Sequence, residues 1–435
     1  MVPGYFNNLS VWLKGHAIIA SLIVLLCSLS LRLFFAWRTD QIDLINAIPD
    51  AGSYLGPAQH LLQRGAFLDA NNKPMIERTP GYPVFVVAIM LLVGQDWRKV
   101  LITQAIILSC SVLVLYLLAR HILPPVTAFI GGLLAAFSPW GAALAGFPLT
   151  DGLFLLLLAL SFLAMKLIER LKCRATIMLG GACVGVLTGA AVMVRPIWPL
   201  VILIAVALFF LYGPRQKGIW LLLVAMLAFA VIPLFLWKER NQRVSQFNGL
   251  TDLPGKGAWH YLASRVTAQI NGQDRFAVQS KAMREDRNWK MSAQEANDER
   301  WQRAKAVFRE NPILTVYCFF LSAAEHAIHP SPDVLTPAKL NFHGDYWALA
   351  LVWGGLLTLA SLGWPFTLNP EWEYGPTDRR WLLAILVICL LLTLSTGIAF
   401  GAGSRYRVLL ELIVPLLAAA GLLRMIGACR RIFAS

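Results

Sequence analysis

Long apolar runs dominate the chain and limit what it can fold into. They recur along the whole sequence at lengths of about 18–22 residues, which suffice to cross a bilayer core of about 30 Å as a helix. In lipid, only helices and closed barrels satisfy their backbone hydrogen bonds, and runs of this length without polar alternation indicate helices. We therefore predict an all-α polytopic membrane protein.

The composition supports this class and restricts the partners. Of the 435 residues, 57% are hydrophobic and only 14% are charged, which is too little charge to cover a soluble surface. The formal net charge of +14 is explained by lysines and arginines flanking cytoplasmic helix ends. No basic block interleaved with aromatics occurs, so no nucleic-acid partner is predicted. The seven cysteines form no C-x-x-C pair, which predicts neither a disulfide framework nor a thiolate metal site.

Polar segments divide the chain into three predicted parts. Residues 1–237 form an N-terminal transmembrane catalytic module that includes a first external loop at 38–99. Residues 238–311 form one large external loop, whose second half reads as an amphipathic helix ending before a proline. Residues 312–435 carry the C-terminal transmembrane helices.

The bundle is predicted to contain about 11 transmembrane helices, with external loops and juxtamembrane helices. The predicted spans lie near residues 16–37, 100–119, 126–144, 152–169, 176–194, 197–213, 218–237, 312–328, 346–366, 381–400 and 407–427. A further amphipathic helix is predicted over Tyr54–Arg64, stopped by Gly65.

Charge placement predicts the topology of the first half. The short basic loops at 166–174 and 213–218 are expected on the cytoplasmic side, which puts Asp151 outside. The 38–99 region is then external as well, provided that the short apolar segment 80–94 does not cross. The orientation of the C-terminal helices across the membrane is left open.

Three acids are candidates for chemistry because each lies at the external mouth of a helix. They are Asp50, Glu77 and Asp151. A carboxylate there can be solvated surface, and Asp151 can also serve as a helix-start residue. Carboxylates can also remove a proton from an acceptor hydroxyl or hold a divalent cation against a phosphate. No cofactor is firmly indicated, and a divalent cation held by these three acids is an open alternative.

Arginines near span ends fit the same chemistry, because arginine is the preferred bidentate partner of phosphate. Those singled out are Arg78, Arg195, Arg240, Arg405 and Arg407. Each alone can instead anchor a helix end at the membrane interface. Together with the acids they predict a polar cavity behind lipid-facing walls.

A set of short motifs in the chain resembles those of a known family. A predicted helix with the pattern Asp50-x-x-x-Tyr54-x-x-x-Ala ends in QRG. The motif RTPGYP comes next; it begins at Arg78 and contains Tyr82. PLTDGLF around Asp151 opens a later span, and VRP, RENP and RYR lie at other span ends. The pattern resembles the GT-C membrane glycosyltransferases, in particular the protein O-mannosyltransferases and the lipid A aminoarabinose transferase.

The resemblance implies transfer of a sugar from a polyprenyl-phosphate donor to an acceptor hydroxyl, with inversion, on the external face of the membrane. The acceptor would be a lipid, a glycan or a protein. The membrane would be a bacterial inner membrane, with the active site facing the periplasm. Segment 80–94 would then be juxtamembrane rather than a span.

The resemblance also implies roles for the motif residues. Asp50 would be the base, Glu77 with Arg78 an acid–base pair, and Asp151 the acid of the second loop. Tyr54 and Tyr82, with the arginines, would bind substrate. One departure is that the protein mannosyltransferases carry paired acids at the first site, whereas Ala51 follows Asp50 here.

Two other functions compete with sugar transfer. Intramembrane Arg32 and the prolines Pro233 and Pro415 would suit a transporter or flippase for lipid-linked sugars, but no inverted repeat is evident. An O-antigen ligase or polymerase would also span the membrane many times and carry one large external loop. The acid after the first span favours the transferase.

Overall fold

The computed structural model describes residues 4–39, 50–213, 218–287, 289–328, 346–367, 376–398 and 409–434. Within these ranges the chain is built from helices, and the β-pairing is an isolated antiparallel bridge between Leu68 and Pro74. The expected all-α class is therefore confirmed.

The first eleven helices carry the N-terminal half of the bundle. They are α1 Gly4–Gly15, α2 Ala17–Arg38, α3 Ala51–Arg64, α4 Gly81–Val93, α5 Trp97–Ala119, α6 Pro125–Ala136, α7 Pro139–Ala145, α8 Thr150–Ile168, α9 Arg174–Val194, α10 Pro199–Tyr212 and α11 Ile219–Ser245.

The remaining elements form the polar insertion and the C-terminal helices. They are α12 Leu253–Lys256, a π-helix Gly257–Ala263, α13 Ser264–Asn271, α14 Arg275–Arg287, α15 Ala293–Glu310, α16 Pro312–Ile328, α17 Tyr346–Thr367, α18 Pro376–Ser395, a 3-10 turn Thr396–Ile398 and α19 Val414–Ala434.

Five described helices are long and apolar enough to cross a membrane: α2, α5, α8, α9 and α11. Shorter apolar helices of 10–17 residues accompany them, so the number of 11 crossings stays a prediction. In α2 and α11 only 28% and 33% of the apolar window is buried. Apolar faces left uncovered on such long helices are what lipid contact requires.

The predicted span 126–144 is wrong as one continuous helix. The chain breaks at Ser138, and α7 starts at Pro139. Proline has no N–H to continue the preceding helix, and it is well suited to the first turn of a new one. The Ser138 side chain accepts a hydrogen bond from the N–H of Gly141 and caps that turn.

Both predicted amphipathic helices form. Helix α3 begins three residues earlier than expected, and it ends at Gly65 in the left-handed conformation, with φ of 65°. In the insertion, Ser292 and Glu295 make reciprocal side-chain-to-backbone hydrogen bonds that cap α15.

Glycines let α9 and α11 pack backbone against backbone. A Cβ on Gly181, Gly185 or Gly189 would press on the carbonyl oxygens of Leu222, Met226 and Ala230, in that order. Small residues spaced by four let membrane helices approach closely. Because both series rise together, the two helices run parallel and their C-terminal ends lie at the same end of the bundle.

That end of the bundle, called the site end below, gathers the C-terminal ends of α9 and α11 and the starts of α8 and α4. Helix α8 runs antiparallel to α9, so Asp151 near its start meets Arg195 just after α9. The start of α4 also lies here, since a Cβ on Gly81 would stand 2.5 Å from the Met193 carbonyl. The predicted cytoplasmic loop 166–174, which joins α8 to α9, lies at the opposite end.

Helix α4 does not cross the bundle. Its 13 residues span about 20 Å, and it starts with Tyr82 hydrogen-bonded to Gln104, in the second turn of α5. It ends at Val93, only a few residues before α5 begins. The geometry agrees with the expectation that 80–94 is juxtamembrane.

Candidate active site

Asp50 and Arg78 form the centre of the candidate site. An Arg78 Nη2 lies 2.8 Å from Asp50 Oδ1, and the Nε donates to the Ser53 hydroxyl at 2.9 Å. The Tyr54 hydroxyl accepts from the other Nη at 3.1 Å, and the guanidinium carbon lies 4.7 Å from the Tyr54 ring centroid. Asp50 immediately precedes α3, and Ser53 and Tyr54 lie in its first turn, so one arginine holds all three. The Asp50 side chain is 35% exposed and open to a substrate.

Glu77 lies between two cations. Its carboxylate is 3.4 Å from Arg78 and 2.5 Å from the Lys256 Nζ of the insertion. Burial by itself would raise the pKa of Glu77, but the charges of Lys256 and Arg78 outweigh it and hold that pKa below its ordinary value. Burial would likewise lower the pKa of Lys256, but Asp252 and Glu77 raise it. Glu77 and Lys256 are therefore both charged at neutral pH.

Asp151 and Arg195 form a second, buried pair. Their atoms lie 2.7 Å apart, and the Asp151 side chain is fully buried. Asp151 stands in the first turn of α8, where a carboxylate also meets the positive end of the helix dipole. An acid enclosed in this way is placed to order the helix ends around it.

A chain of contacts connects the two clusters. The Tyr54 and Tyr82 rings meet edge to face with centroids 5.4 Å apart. The Tyr82 hydroxyl donates to Gln104 at 2.6 Å, and the Gln104 amide donates to the Phe147 carbonyl at 2.6 Å, just before α8. Both predicted tyrosines thus belong to the frame between the clusters.

Arg240, predicted to bind substrate, is held by the first loop. It donates to the carbonyl oxygens of Phe67 and Met75 at 2.8 and 2.7 Å, and its guanidinium carbon lies 4.8 Å from the Trp237 ring centroid. These contacts join the end of α11 to the loop that precedes Glu77. Arg405 and Arg407, also predicted to bind substrate, lie outside the described residues.

The structure thus brings Asp50, Glu77 and Arg78 into one cluster and puts Asp151 and Arg195 in a linked one at the same end of the bundle. Sequence reasoning missed Lys256, Gln104 and Ser53. Ser53 was readable, because it stands three residues after Asp50 on a helix that starts there. Nothing local could reveal Lys256, which follows Glu77 by 179 residues.

Asp50 and Glu77 share the Arg78 guanidinium, whereas Asp151 faces Arg195. Asp50, Glu77 and Asp151 each face an arginine or lysine. No group of three or more His, Cys, Asp or Glu residues suited to a metal ion occurs among the described residues. A divalent cation held by Asp50, Glu77 and Asp151 therefore stays a prediction.

Comparisons with known proteins agree with this geometry. Residues 77–237 match the family model described as dolichyl-phosphate-mannose-protein mannosyltransferase. Oligosaccharyltransferase AglB from Archaeoglobus fulgidus, in complex with an inhibitory peptide and a dolichol-phosphate, superposes over 97% of this chain with a TM-score of 0.56 at 12% identity. The described helices have the GT-C fold. The expected resemblance to GT-C membrane glycosyltransferases is thereby confirmed.

A second structure of the Archaeoglobus fulgidus oligosaccharyltransferase, tethered to an acceptor peptide, also superposes on this chain. It gives a TM-score of 0.56 at 14% identity over 95% of this chain. The chain spans only about half the length of these oligosaccharyltransferases, 52% and 50%. ArnT from Cupriavidus metallidurans, bound to undecaprenyl phosphate, aligns at 15% identity over 94% of this chain and 78% of the ArnT chain. Its TM-score of 0.42 is too low to indicate a shared fold. No curated protein sequence matches the chain.

Proposed function

We propose that the protein is an inverting glycosyltransferase that moves a sugar from a polyprenyl-phosphate donor to an acceptor hydroxyl at the external membrane face. The observation that carries this proposal is the partly exposed Asp50 carboxylate, held by Arg78 at the rim of a bundle with the GT-C fold. The AglB complex with a dolichol-phosphate supports a lipid-linked donor, and the mannosyltransferase family match supports sugar transfer.

The proposed chemistry is a single displacement. Asp50 takes the proton of the acceptor hydroxyl as its oxygen attacks the anomeric carbon. The bond from that carbon to the phosphate oxygen breaks, and the lipid phosphate leaves with the bonding electrons. Attack from the face opposite the phosphate inverts the anomeric carbon. Arg78 orients Asp50 and puts positive charge beside the reacting groups.

The donor lipid also fits the surroundings of the site. A polyprenyl tail would lie in lipid along the uncovered apolar faces of the long helices, which keeps its phosphate at the membrane surface. The site end is where such a phosphate would meet charged groups. A bacterial inner membrane and a periplasmic site are part of the proposal, and the acceptor would be a lipid, a glycan or a protein.

The test compares cell-envelope lipids and glycans, by mass spectrometry, in cells with and without the protein. A missing sugar decoration would identify the product, and an accumulated lipid-phosphate sugar would identify the donor. Cells lacking the protein are then supplied with wild type, Asp50→Asn or Glu310→Gln at equal membrane levels.

We expect Asp50→Asn to reduce the decoration by about 10²- to 10⁴-fold, the usual contribution of a general base. It should still bind undecaprenyl phosphate. Glu310→Gln, which alters an exposed carboxylate of the insertion, should restore the decoration fully. Full decoration with Asp50→Asn would refute the proposed mechanism, and unchanged glycans in cells without the protein would refute the sugar-transfer function.

A further inference from the structure

The insertion holds Glu77 by both its backbone and its side chain. The Thr251 hydroxyl donates to the Glu77 carbonyl oxygen at 2.5 Å, and the Lys256 Nζ lies 2.5 Å from Glu77 Oε2. Lys256 also lies 3.1 Å from Asp252, one turn earlier. Residues from the middle of the chain thus fix an acid of the first loop.

A buried network of charged and polar side chains anchors Lys256 within the insertion. Arg300 of α15 lies 3.3 Å from Asp252 and 3.0 Å from Asp286, and Asp286 lies 2.9 Å from Nε2 of His260. The side chains of Asp252, Asp286, Arg300 and His260 are all less than 10% exposed. Charges buried this far from water keep their positions, because an unpaired partner would be left without solvation.

The backbone around Lys256 is unusual as well. A seven-residue π-helix begins directly after it, at Gly257, and contains His260. Such helices are rare, and they occur frequently at functional sites. From this short segment Lys256 contacts Glu77, and His260 contacts Asp286.

Arg78 contacts both Asp50 and Glu77, and Lys256 shares the contact with Glu77. Arg78 is 2.8 Å from Asp50 but 3.4 Å from Glu77, which has the nearer Lys256 for its other oxygen. Without Lys256, the whole charge of Glu77 would act on Arg78 and draw the guanidinium away from Asp50. Lys256 is thus linked to the Arg78–Asp50 pair through Glu77.

We propose that Lys256 is a positioning residue that satisfies Glu77 and thereby keeps Arg78 on Asp50. The insertion would complete the site through this lysine. The inference rests on the proposed sugar transfer, in which Asp50 is the base.

The test is a double-mutant cycle of Lys256→Met and Glu77→Gln, read as the envelope decoration identified above. We expect Lys256→Met to lower it by about 10- to 100-fold, as small misplacements of reacting groups do. The double variant should be no worse than Glu77→Gln alone, since Lys256 acts through Glu77. Lys256→Arg, which keeps the charge, should recover most of the loss, and Lys281→Met, at an exposed lysine of α14, should change nothing.

A second readout separates positioning from substrate contact. Undecaprenyl phosphate is titrated onto purified protein, and its Kd should change less than twofold in Lys256→Met. A Kd that weakens as much as the decoration falls, or additive losses in the double variant, would overturn the proposal. So would full decoration with Lys256→Met.

Thermal unfolding of the four proteins of the cycle separates this inference from the proposed function. These are wild type, Lys256→Met, Glu77→Gln and the double variant. Coupling between Lys256 and Glu77 in Tm is expected whether or not the protein transfers sugar. If Asp50→Asn keeps full decoration while the coupling in Tm persists, the proposed base is wrong although the ion pair exists. Absence of coupling in Tm would overturn the contact itself.

Discussion

Burial separates two aspartates that look equivalent in the sequence. Asp50 and Asp151 both stand at the start of a helix at the site end of the bundle. The side chain of Asp50 is 35% exposed and that of Asp151 is fully buried beside Arg195. A general base must reach a substrate proton, so Asp50 suits that role and Asp151 suits holding the helix ends together. Sequence spacing predicted both acids but could not show which of them a substrate can reach, because burial depends on helices from elsewhere in the chain.

Asp286 gives the insertion an acid-sensitive stability. Burial would raise its pKa, but hydrogen bonds from His260 and Arg300 lower it from 3.8 to about 2. Because the folded value lies below the unfolded one, this stabilisation is complete above about pH 4 and is lost as the pH falls towards 2. We expect it to amount to about 1–2 kcal/mol.

The measurement is thermal unfolding of the purified protein between pH 6 and pH 2.5. Asp286→Asn should lower Tm at pH 6 and flatten the fall in Tm below pH 4. Lys281→Met, in the same helix, should keep the wild-type pH dependence. An Asp286→Asn profile parallel to that of wild type would show that this carboxylate does not carry the effect.

At the scale of helices, close packing of α9 on α11 positions the site. Their parallel course carries Arg195 and Arg240 to the same end of the bundle. The signal was readable in the sequence as G-x-x-x-G-x-x-x-G from Gly181 to Gly189, a pattern typical of tightly packed membrane helices. Hydrophobic run lengths alone do not reveal such a face, because they count residues without asking which side of the helix they occupy.

Gly185→Leu should force these two helices apart. Its Cβ would press on the Met226 carbonyl and lie 3.0 Å from the Phe229 Cβ, and backbone cannot yield as a side chain can. We expect a loss of about 1–3 kcal/mol, as for other overpacked sites, together with reduced decoration as Arg195 and Arg240 shift.

Thermal unfolding and the decoration assay check this together. Gly354→Leu is the matched control, since it lies in an apolar helix with nothing within 4 Å of its Cβ. It should leave both properties near wild type. Equal Tm for the two leucine variants would mean that the α9–α11 contact does not limit stability.

For the whole molecule, composition and run length predicted the membrane helices, whereas pairings across long stretches of chain required coordinates. The Lys256–Glu77 pair joins residues 179 positions apart, and the break before Pro139 interrupts an otherwise unbroken apolar run. Local pattern reports which residues meet lipid or core. It does not report which helix ends come together, and the candidate site is made of such ends.

Transfer to an external acceptor, as proposed, requires the site end of the bundle to face outward. Lysines and arginines collect in the loop 166–174, at the end opposite the site, and such loops stay cytoplasmic. In a variant without native cysteines, Asn71→Cys probes the exposed first loop and Lys172→Cys the basic loop. A membrane-impermeant maleimide should label Asn71→Cys in intact cells and Lys172→Cys only after permeabilisation. The reverse pattern would put Asp50 on the cytoplasmic face and exclude an external acceptor, whereas labelling of both in intact cells would contradict the opposite placement of the two loops.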